Sequence, residues 1–92
     1  MTEKPTERVI YTGRVQGVGF RYTVQSLARG CPITGYVRNL SDGSVELVAQ
    51  GDVSAINALL ADVSGRFGAN ISHCERRPVT DAPSLETFEI RF

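Results

Sequence analysis

A chain of 92 residues fits one compact domain and not two, because a separate core needs roughly 50 residues or more. A composition of 41% hydrophobic and 22% charged residues is close to the globular average, which excludes a coiled coil, a low-complexity scaffold and wholesale disorder. Ten basic residues balance ten acidic ones, so the chain lacks the overall positive charge typical of proteins that bind nucleic acids or anionic membranes.

The first half of the chain predicts a strand, a helix and a hairpin. We expect residues 1–7 to form a flexible N-terminus, followed by a strand from Arg8 to Arg14. Apolar residues at helical spacing predict a helix that begins near Phe20 and ends at Gly30. Two further strands, Gly35–Leu40 and Val45–Gln50, are separated by the turn sequence Ser-Asp-Gly, which is typical of a hairpin.

The second half predicts one helix and two strands. Asp52 is a good N-cap for a helix whose apolar residues recur at helical spacing until Gly65 ends it. Ile71–Val79 reads as a strand, and the proline near its end favours the edge of a sheet. Clean alternation from Phe88 to the final residue predicts the last strand.

This order of elements predicts the fold class. Two helices cannot cover both faces of a sheet of this size, so both should pack on one face of a mainly antiparallel sheet of four or five strands. The expected fold is an α+β two-layer sandwich of the ferredoxin-like, split βαβ type, formed by a single domain over residues 1–92. Because that fold hosts many functions, the function has to be argued from a site.

The charges are unevenly distributed. No acidic residue occurs between Glu7 and Asp42, whereas five arginines do: Arg8, Arg14, Arg21, Arg29 and Arg38. An uneven distribution of charged side chains that are simply exposed to solvent is common. The alternative is a local binding site for a small anion, and that interpretation needs support from a motif.

The segment between the first strand and the first helix offers that motif. It reads Gly13-Arg14-Val15-Gln16-Gly17-Val18-Gly19-Phe20-Arg21. The glycines permit positive φ, so successive N–H groups can point into one concavity beside the positive end of the helix. Arg21 can add a planar guanidinium that grips two phosphate oxygens. A glycine pair after a strand is also typical of an ordinary tight turn, and the dinucleotide and P-loop patterns are both absent.

Asn39 is the second polar candidate. If Arg38 faces solvent, the alternation of a strand turns Asn39 inward, on the same side as Val37. An inward amide needs partners, and it could either bind a ligand or stabilise the adjacent hairpin turn by bonding to nearby backbone.

These two segments resemble the signatures of the acylphosphatase family. Val15-Gln16-Gly17-Val18-Gly19-Phe20-Arg21 is similar to the family's glycine loop and arginine, and the stretch from Gly35 to Asn39, with the Asp-Gly-Ser-Val that follows, is similar to its second signature. The resemblance extends from Arg8 to Phe92. Two departures, Tyr11 and Cys31-Pro32, leave the motif positions intact.

The resemblance implies hydrolysis of a carboxylic–phosphoric anhydride without metal or cofactor. Arg21 and the backbone N–H groups of Val15, Gln16, Gly17, Val18, Gly19 and Phe20 would bind the phosphoryl group, and Asn39 would position the attacking water. The implied partner is a small acyl phosphate, with inorganic phosphate as product, and we expect a monomer that binds neither nucleic acid nor membrane.

Two alternative functions are considered as well. A non-catalytic ferredoxin-like module that binds RNA or another anion would need aromatic residues on central strands and a basic sheet face, and Ser44–Gln50 contains no aromatic residue. An acylphosphatase-like domain serving a larger carbamoyl-transfer enzyme would need a further domain.

The remaining candidate residues receive structural interpretations. The first seven residues contain no apolar h-region and no run of about 18 apolar residues occurs, so we expect a cytoplasmic protein. We expect Cys31 and Cys74 to be reduced, largely buried thiols, with a disulfide between them as the alternative that the sequence leaves open, and we expect His73 to be a structural or surface residue. No cluster has metal-ligand spacing. The three tyrosines are expected to pack: Tyr11, Tyr22 and Tyr36.

Overall fold

The computed structural model describes residues 4–92 and contains seven elements in the predicted order. These are β1 (Thr6–Gly13), α1 (Phe20–Arg29), β2 (Thr34–Asn39), β3 (Val45–Gln50), α2 (Val53–Phe67), β4 (Ile71–Pro78) and β5 (Phe88–Arg91). The strands form one sheet in the order β4-β1-β3-β2-β5. Three strand pairs are antiparallel, and β5 runs parallel to β2. The predicted fold class, with both helices over one face of a mainly antiparallel sheet, is therefore confirmed.

Strand alternation places the core between the sheet and the helices. On β3, Val45, Leu47 and Ala49 are fully buried among the core residues, and on β2 the same holds for Val37. The helices contribute their apolar stripes to this cluster: Phe20, Val24, Ala28, Ile56, Leu59 and Val63. Residues between these positions on each strand, such as Glu46, point to the opposite face, which carries no helix.

The N-terminal part differs from the prediction. Of the expected flexible segment 1–7, residues 1–3 lie outside the described part of the chain, and the last two belong to β1, which begins at Thr6. Thr6 lies opposite Gln50 in register, is only 5% exposed, and its hydroxyl accepts a hydrogen bond of 3.0 Å from Nε2 of Gln50. That buried pairing extends the strand towards the N-terminus.

The end of α2 is a second correction. Gly65 does not end the helix, which continues to Phe67. A glycine inside a helix costs only about 1 kcal/mol relative to alanine, and here the additional residues place Phe67 against Phe20, with ring centroids 4.7 Å apart. Phe20 also packs edge-on against Tyr11 at 5.2 Å. This aromatic group lies where α1 begins and ties both helices to β1.

Strand directions decide which loops meet. β1 and β2 both run antiparallel to β3, so they end at the same end of the sheet, and β5 is parallel to β2 and ends there too. The segment after Gly13, the end of β2 at Asn39, and the residue after β5, Phe92, therefore lie at this shared end. Because α2 follows β3, it begins at the opposite end.

Candidate active site

Residues 14–19 form the loop that joins β1 to α1. Gly17 and Gly19 both have φ of 77°, in the left-handed region that side-chain-bearing residues rarely adopt. A Cβ atom at either position would meet no atom within 4 Å. The glycines are therefore required by backbone conformation and not by close packing, and this conformation turns the loop towards the start of α1.

The N-terminus of α1 has unneutralised positive polarity. Gly19 is the N-cap residue, so it offers no side-chain cap, and the first turn carries no acidic residue. The first backbone bond of the helix, of 3.0 Å, runs from the N–H of Thr23 to the carbonyl of Gly19. The N–H groups of residues 20–22 precede it and have no acceptor within the helix. A helix start of this kind favours a negatively charged group.

The loop, the helix start and the end of β2 enclose a cleft of about 270 Å³. The lining residues are Val15, Gly17, Gly19, Phe20, Arg21, Tyr22 and Asn39. The volume is just below the range of roughly 300–1,000 Å³ found for small-molecule sites, so the cleft suits a small ligand. The structure thus brings the predicted arginine and asparagine, 18 positions apart in the chain, to a single cleft.

Arg21 lies in the cleft without a carboxylate partner among residues 4–92. Its guanidinium carbon is 5.0 Å from the centroid of the Phe92 ring, a cation–π contact that leaves the N–H groups free to bind an anion. The positive charge is therefore available to a ligand.

Asn39 carries an unsatisfied acceptor. Within the described part of the chain, its Oδ1 is the buried side-chain polar atom that has no hydrogen-bond partner. A buried acceptor without a partner is costly, so such an atom commonly binds water or a ligand. The predicted inward orientation holds, because Asn39 lines the cleft while Arg38 points to the opposite face.

Gln16 connects the two halves of the site. Its Nε2 donates to the carbonyls of Leu40 and Ser44, at 2.8 Å each. Both carbonyls belong to the turn that follows Asn39. This turn is closed by Asp42, whose carboxylate accepts hydrogen bonds from the hydroxyl and the backbone N–H of Ser44. These bonds, the hydroxyl's first, lower the pKa of Asp42 below its ordinary value.

The predicted loop residues divide into three groups. Val15, Gly17, Gly19 and Phe20 line the cleft. The side chain of Gln16 bonds to the hairpin turn. The side chain of Val18 is 39% exposed and does not line the cleft.

The basic stretch is not one cluster. Of its arginines only Arg21 lines the cleft. Arg8 and Arg38 pair with Glu46 on the open face of the sheet, with Nε–Oε distances of 2.5 and 2.6 Å. Arg29 lies in the last turn of α1. The anion site therefore has a single arginine.

The expectation for the thiols is partly wrong. Cys31 and Cys74 are both free, but Cys74 is exposed and Cys31 is only half-buried. Cys74 lies on edge strand β4, most of which is open to solvent. His73, on the same strand, is exposed, as a surface histidine should be. Across residues 4–92, no three His, Cys, Asp or Glu side chains are grouped so that they could hold a metal ion. No helix there is long and apolar enough to cross a membrane.

Tyr22 was missed as a site residue. Tyr11 is buried and Tyr36 is half-buried beneath the guanidinium of Arg91, 3.8 Å from its ring centroid, so these two pack as predicted. Tyr22 instead is 68% exposed and lines the cleft. In the sequence, its position directly after Arg21 could have indicated that Tyr22 lies near the site. The direction of its ring, however, depends on the rotation of α1 about its axis.

The chain is similar to known proteins in both sequence and fold. The acylphosphatase family profile matches residues 7–90. An acylphosphatase from Geobacillus thermodenitrificans is 45% identical over 87 residues, covering 91% of this chain and 90% of the relative. One from Yersinia pseudotuberculosis is 43% identical over 82 residues, covering 87% and 88%. The crystal structure of acylphosphatase from Bacillus subtilis superposes with a TM-score of 0.86 at 30% identity, covering 96% of this chain and 99% of that one.

Proposed function

Because this chain belongs to the acylphosphatase family and is an enzyme that hydrolyses acyl phosphates, we propose that Arg21 and the loop amides bind the phosphoryl group while Asn39 orients the attacking water. The phosphoryl group would lie at the start of α1, between the guanidinium and the backbone N–H groups of residues 15–20. The water would lie against Oδ1 of Asn39, on the side of the cleft formed by the end of β2.

One observation carries this proposal. An arginine without a carboxylate partner and a buried amide oxygen without a hydrogen-bond partner line the same cleft, beside a helix start that is not capped. The buried amide oxygen is unfavourable unless water or a ligand satisfies it, and the guanidinium and the helix start are positive groups that can exchange hydrating water for an anion. A phosphoryl group and a water molecule satisfy all three, because the phosphoryl oxygens accept from the guanidinium and the amides while the water donates to Oδ1.

The chemistry needs little more than these groups. In the proposed step, the water oxygen forms a bond to phosphorus as the bond from phosphorus to the acyl oxygen breaks, and the carboxylate leaves with the electron pair. The conjugate acid of that carboxylate has a pKa of roughly 4, so the leaving group needs no proton. The water's proton passes to a phosphoryl oxygen. Phosphoryl transfer of this kind depends mainly on positioning and charge stabilisation.

We further propose that the enzyme acts as a monomeric single domain in the cytoplasm, without metal, cofactor or nucleic-acid partner. One continuous core and a formal charge of zero support this. Size-exclusion chromatography with light scattering should give the mass of one chain, and a dimer would refute the monomer.

The test of the function is hydrolysis of benzoyl phosphate in the presence of a chelator. Purified protein should release benzoate and phosphate well above the uncatalysed rate, and no turnover would overturn the proposal. In the same assay, Asn39→Ala should lower kcat by roughly 10- to 100-fold, in line with the loss of a group that orients a reactant. Its inhibition constant for inorganic phosphate should stay within about threefold, because Arg21 and the loop still bind the anion. Equal losses in kcat and in phosphate affinity would contradict the role given to Asn39.

A further inference from the structure

Exposed apolar side chains occur in and next to the segments that form the cleft. Within residues 4–92, four large hydrophobic side chains are exposed: Val18, Tyr22, Val53 and Phe92. Three of them belong to the site region. Val18 stands between the two glycines that line the cleft, Tyr22 lines it, and Phe92 contacts the guanidinium of Arg21. Apolar residues gathered at one exposed place commonly mark a binding surface.

The fourth side chain serves as a reference. Val53 is the first residue of α2, which begins at the opposite end of the sheet from α1. It is 50% exposed, comparable to the others, but lies away from the loop. Exposure of an apolar side chain is therefore unexceptional in itself, and the clustering at one end of the sheet is the observation that calls for an explanation.

Tyr22 has the geometry of a contact residue. It follows Arg21 in the first turn of α1, lines the cleft and is 68% exposed, so most of its ring surface is free. Tyrosine presents a large flat apolar face at a low entropic cost, because only two side-chain torsions have to be fixed. A group attached to a phosphoryl held by Arg21 would leave the cleft next to this ring.

The charges around the cleft narrow the class of substrate. In the part of the chain that the structure describes, Arg21 is the one charged residue in the lining, and its guanidinium is engaged by the phosphoryl group. An acyl group with a negative charge of its own would find no second cation there. A neutral acyl group needs no second cation, and an apolar acyl group gains binding free energy by covering the ring of Tyr22.

We propose that this enzyme prefers acyl phosphates with an aromatic acyl group, and that the ring of Tyr22 is the specificity-determining contact. The inference rests on the proposed function, since it requires the phosphoryl group to be bound at the start of α1. The acyl ring stacks against Tyr22 outside the phosphoryl site, with the apolar side chains of Val18 and Phe92 at the rim.

The experiment compares three acyl phosphates in the wild type and in three variants, the third of which is Tyr22→Phe. Values of kcat/KM are measured for benzoyl, acetyl and succinyl phosphate with the wild type, Tyr22→Ala, Val53→Ala and Tyr22→Phe. The three substrates differ in intrinsic reactivity. The kcat/KM for benzoyl phosphate is therefore divided by the kcat/KM for acetyl phosphate in each protein, and this ratio is compared between each variant and the wild type. We expect Tyr22→Ala to lower this ratio by roughly three- to tenfold, the range typical of an aromatic pair. Val53→Ala should leave it unchanged, and Tyr22→Phe should retain it because the flat face remains.

The possible outcomes are distinct. A selective loss for benzoyl phosphate in Tyr22→Ala supports the inference. Equal losses for benzoyl and acetyl phosphate, or a wild type that favours succinyl over benzoyl phosphate after correction for uncatalysed rates, overturn it while leaving the hydrolytic function intact. Absence of turnover with every substrate overturns the proposed function, and the inference with it.

Discussion

Arginines from one stretch of sequence are used in two different ways in this molecule. On the open face of the sheet, Arg8 and Arg38 are both paired with Glu46, whose side chain is only 3% exposed. At the end of the sheet, Arg21 has an aromatic ring beside it and no carboxylate partner among the described residues. The difference teaches that a neighbouring carboxylate decides the role of an arginine: where one is present the charge stabilises the fold, and where none is present it can bind a ligand.

The largest expected effect is on activity and comes from Arg21→Lys. Lysine keeps the charge but lacks the planar fork that grips two oxygens, so we expect kcat/KM for benzoyl phosphate to fall by about 100-fold, with a matching loss of phosphate inhibition. The matched control is Arg38→Lys on the open face, where activity should remain within about twofold. Similar activity losses in both variants would show that the two regions are not functionally separate.

The second-largest expected effect concerns the loop of residues 14–19, which forms the cleft together with Arg21. Gly19→Val forces a β-branched residue into left-handed backbone, which costs about 1–2 kcal/mol or more. If the loop leaves its native conformation to relieve that strain, phosphate affinity should fall by about tenfold. The phosphate affinity is measured as the inhibition constant of inorganic phosphate in the hydrolysis of benzoyl phosphate.

The control for Gly19 is a glycine in ordinary helical backbone. Gly65→Ala adds a Cβ that meets nothing within 4 Å. We expect it to leave phosphate inhibition unchanged and to stabilise the protein by about 0.5–1 kcal/mol in urea unfolding. Unchanged phosphate affinity in Gly19→Val would show that the loop amides do not depend on this conformation.

A substitution on the open face of the sheet should change the stability of the protein and not its activity. Glu46→Gln removes the charge shared by Arg8 and Arg38, which are 47% and 45% exposed and can be rehydrated. We therefore expect a loss of about 1–2 kcal/mol of unfolding free energy, less than for a fully buried pair. Activity per folded molecule at low denaturant should equal that of the wild type. A fall in kcat with no change in the urea midpoint would reverse the assignment.

The smallest effect is a pH dependence at the hairpin turn. The folded pKa of Asp42 lies below the ordinary value of an aspartate, first because Ser44 donates its hydroxyl to the carboxylate. The carboxylate thus stabilises the fold above the unfolded pKa, and this contribution is lost as the pH falls through the lower, folded value. Asp42→Asn keeps an acceptor for Ser44 but does not titrate, so its melting temperature should fall less than that of the wild type between pH 5 and pH 3. Parallel profiles would show that the turn does not depend on this charge.

Local patterns were sufficient to predict much of the site. Gly17 and Gly19 carry their conformational preference with them, and Arg21 and Asn39 were located by a motif and by strand alternation. The meeting of the two segments depends on strand direction, which the hairpin and the crossover already imply. The roles of these residues in binding and catalysis stay predictions.

Other features could not be predicted, for physical reasons. The bonds from Gln16 to Leu40 and Ser44 span 24 and 28 positions and end on backbone carbonyls, which are alike in every residue. The burial of Glu46 could not be predicted, because its cover is supplied by arginines from two other strands. The exposure of Tyr22 depends on the rotation of α1, and the end of α2 depends on the packing of Phe67 against another helix.

The two hydrogen bonds of Gln16 make the glycine loop and the hairpin turn one mechanical unit. These bonds help to fix the turn after Asn39 relative to the loop that precedes Arg21. A displacement of either segment is transmitted to the other, so the cleft is ready-shaped before substrate arrives, and little conformational entropy remains to be lost on binding.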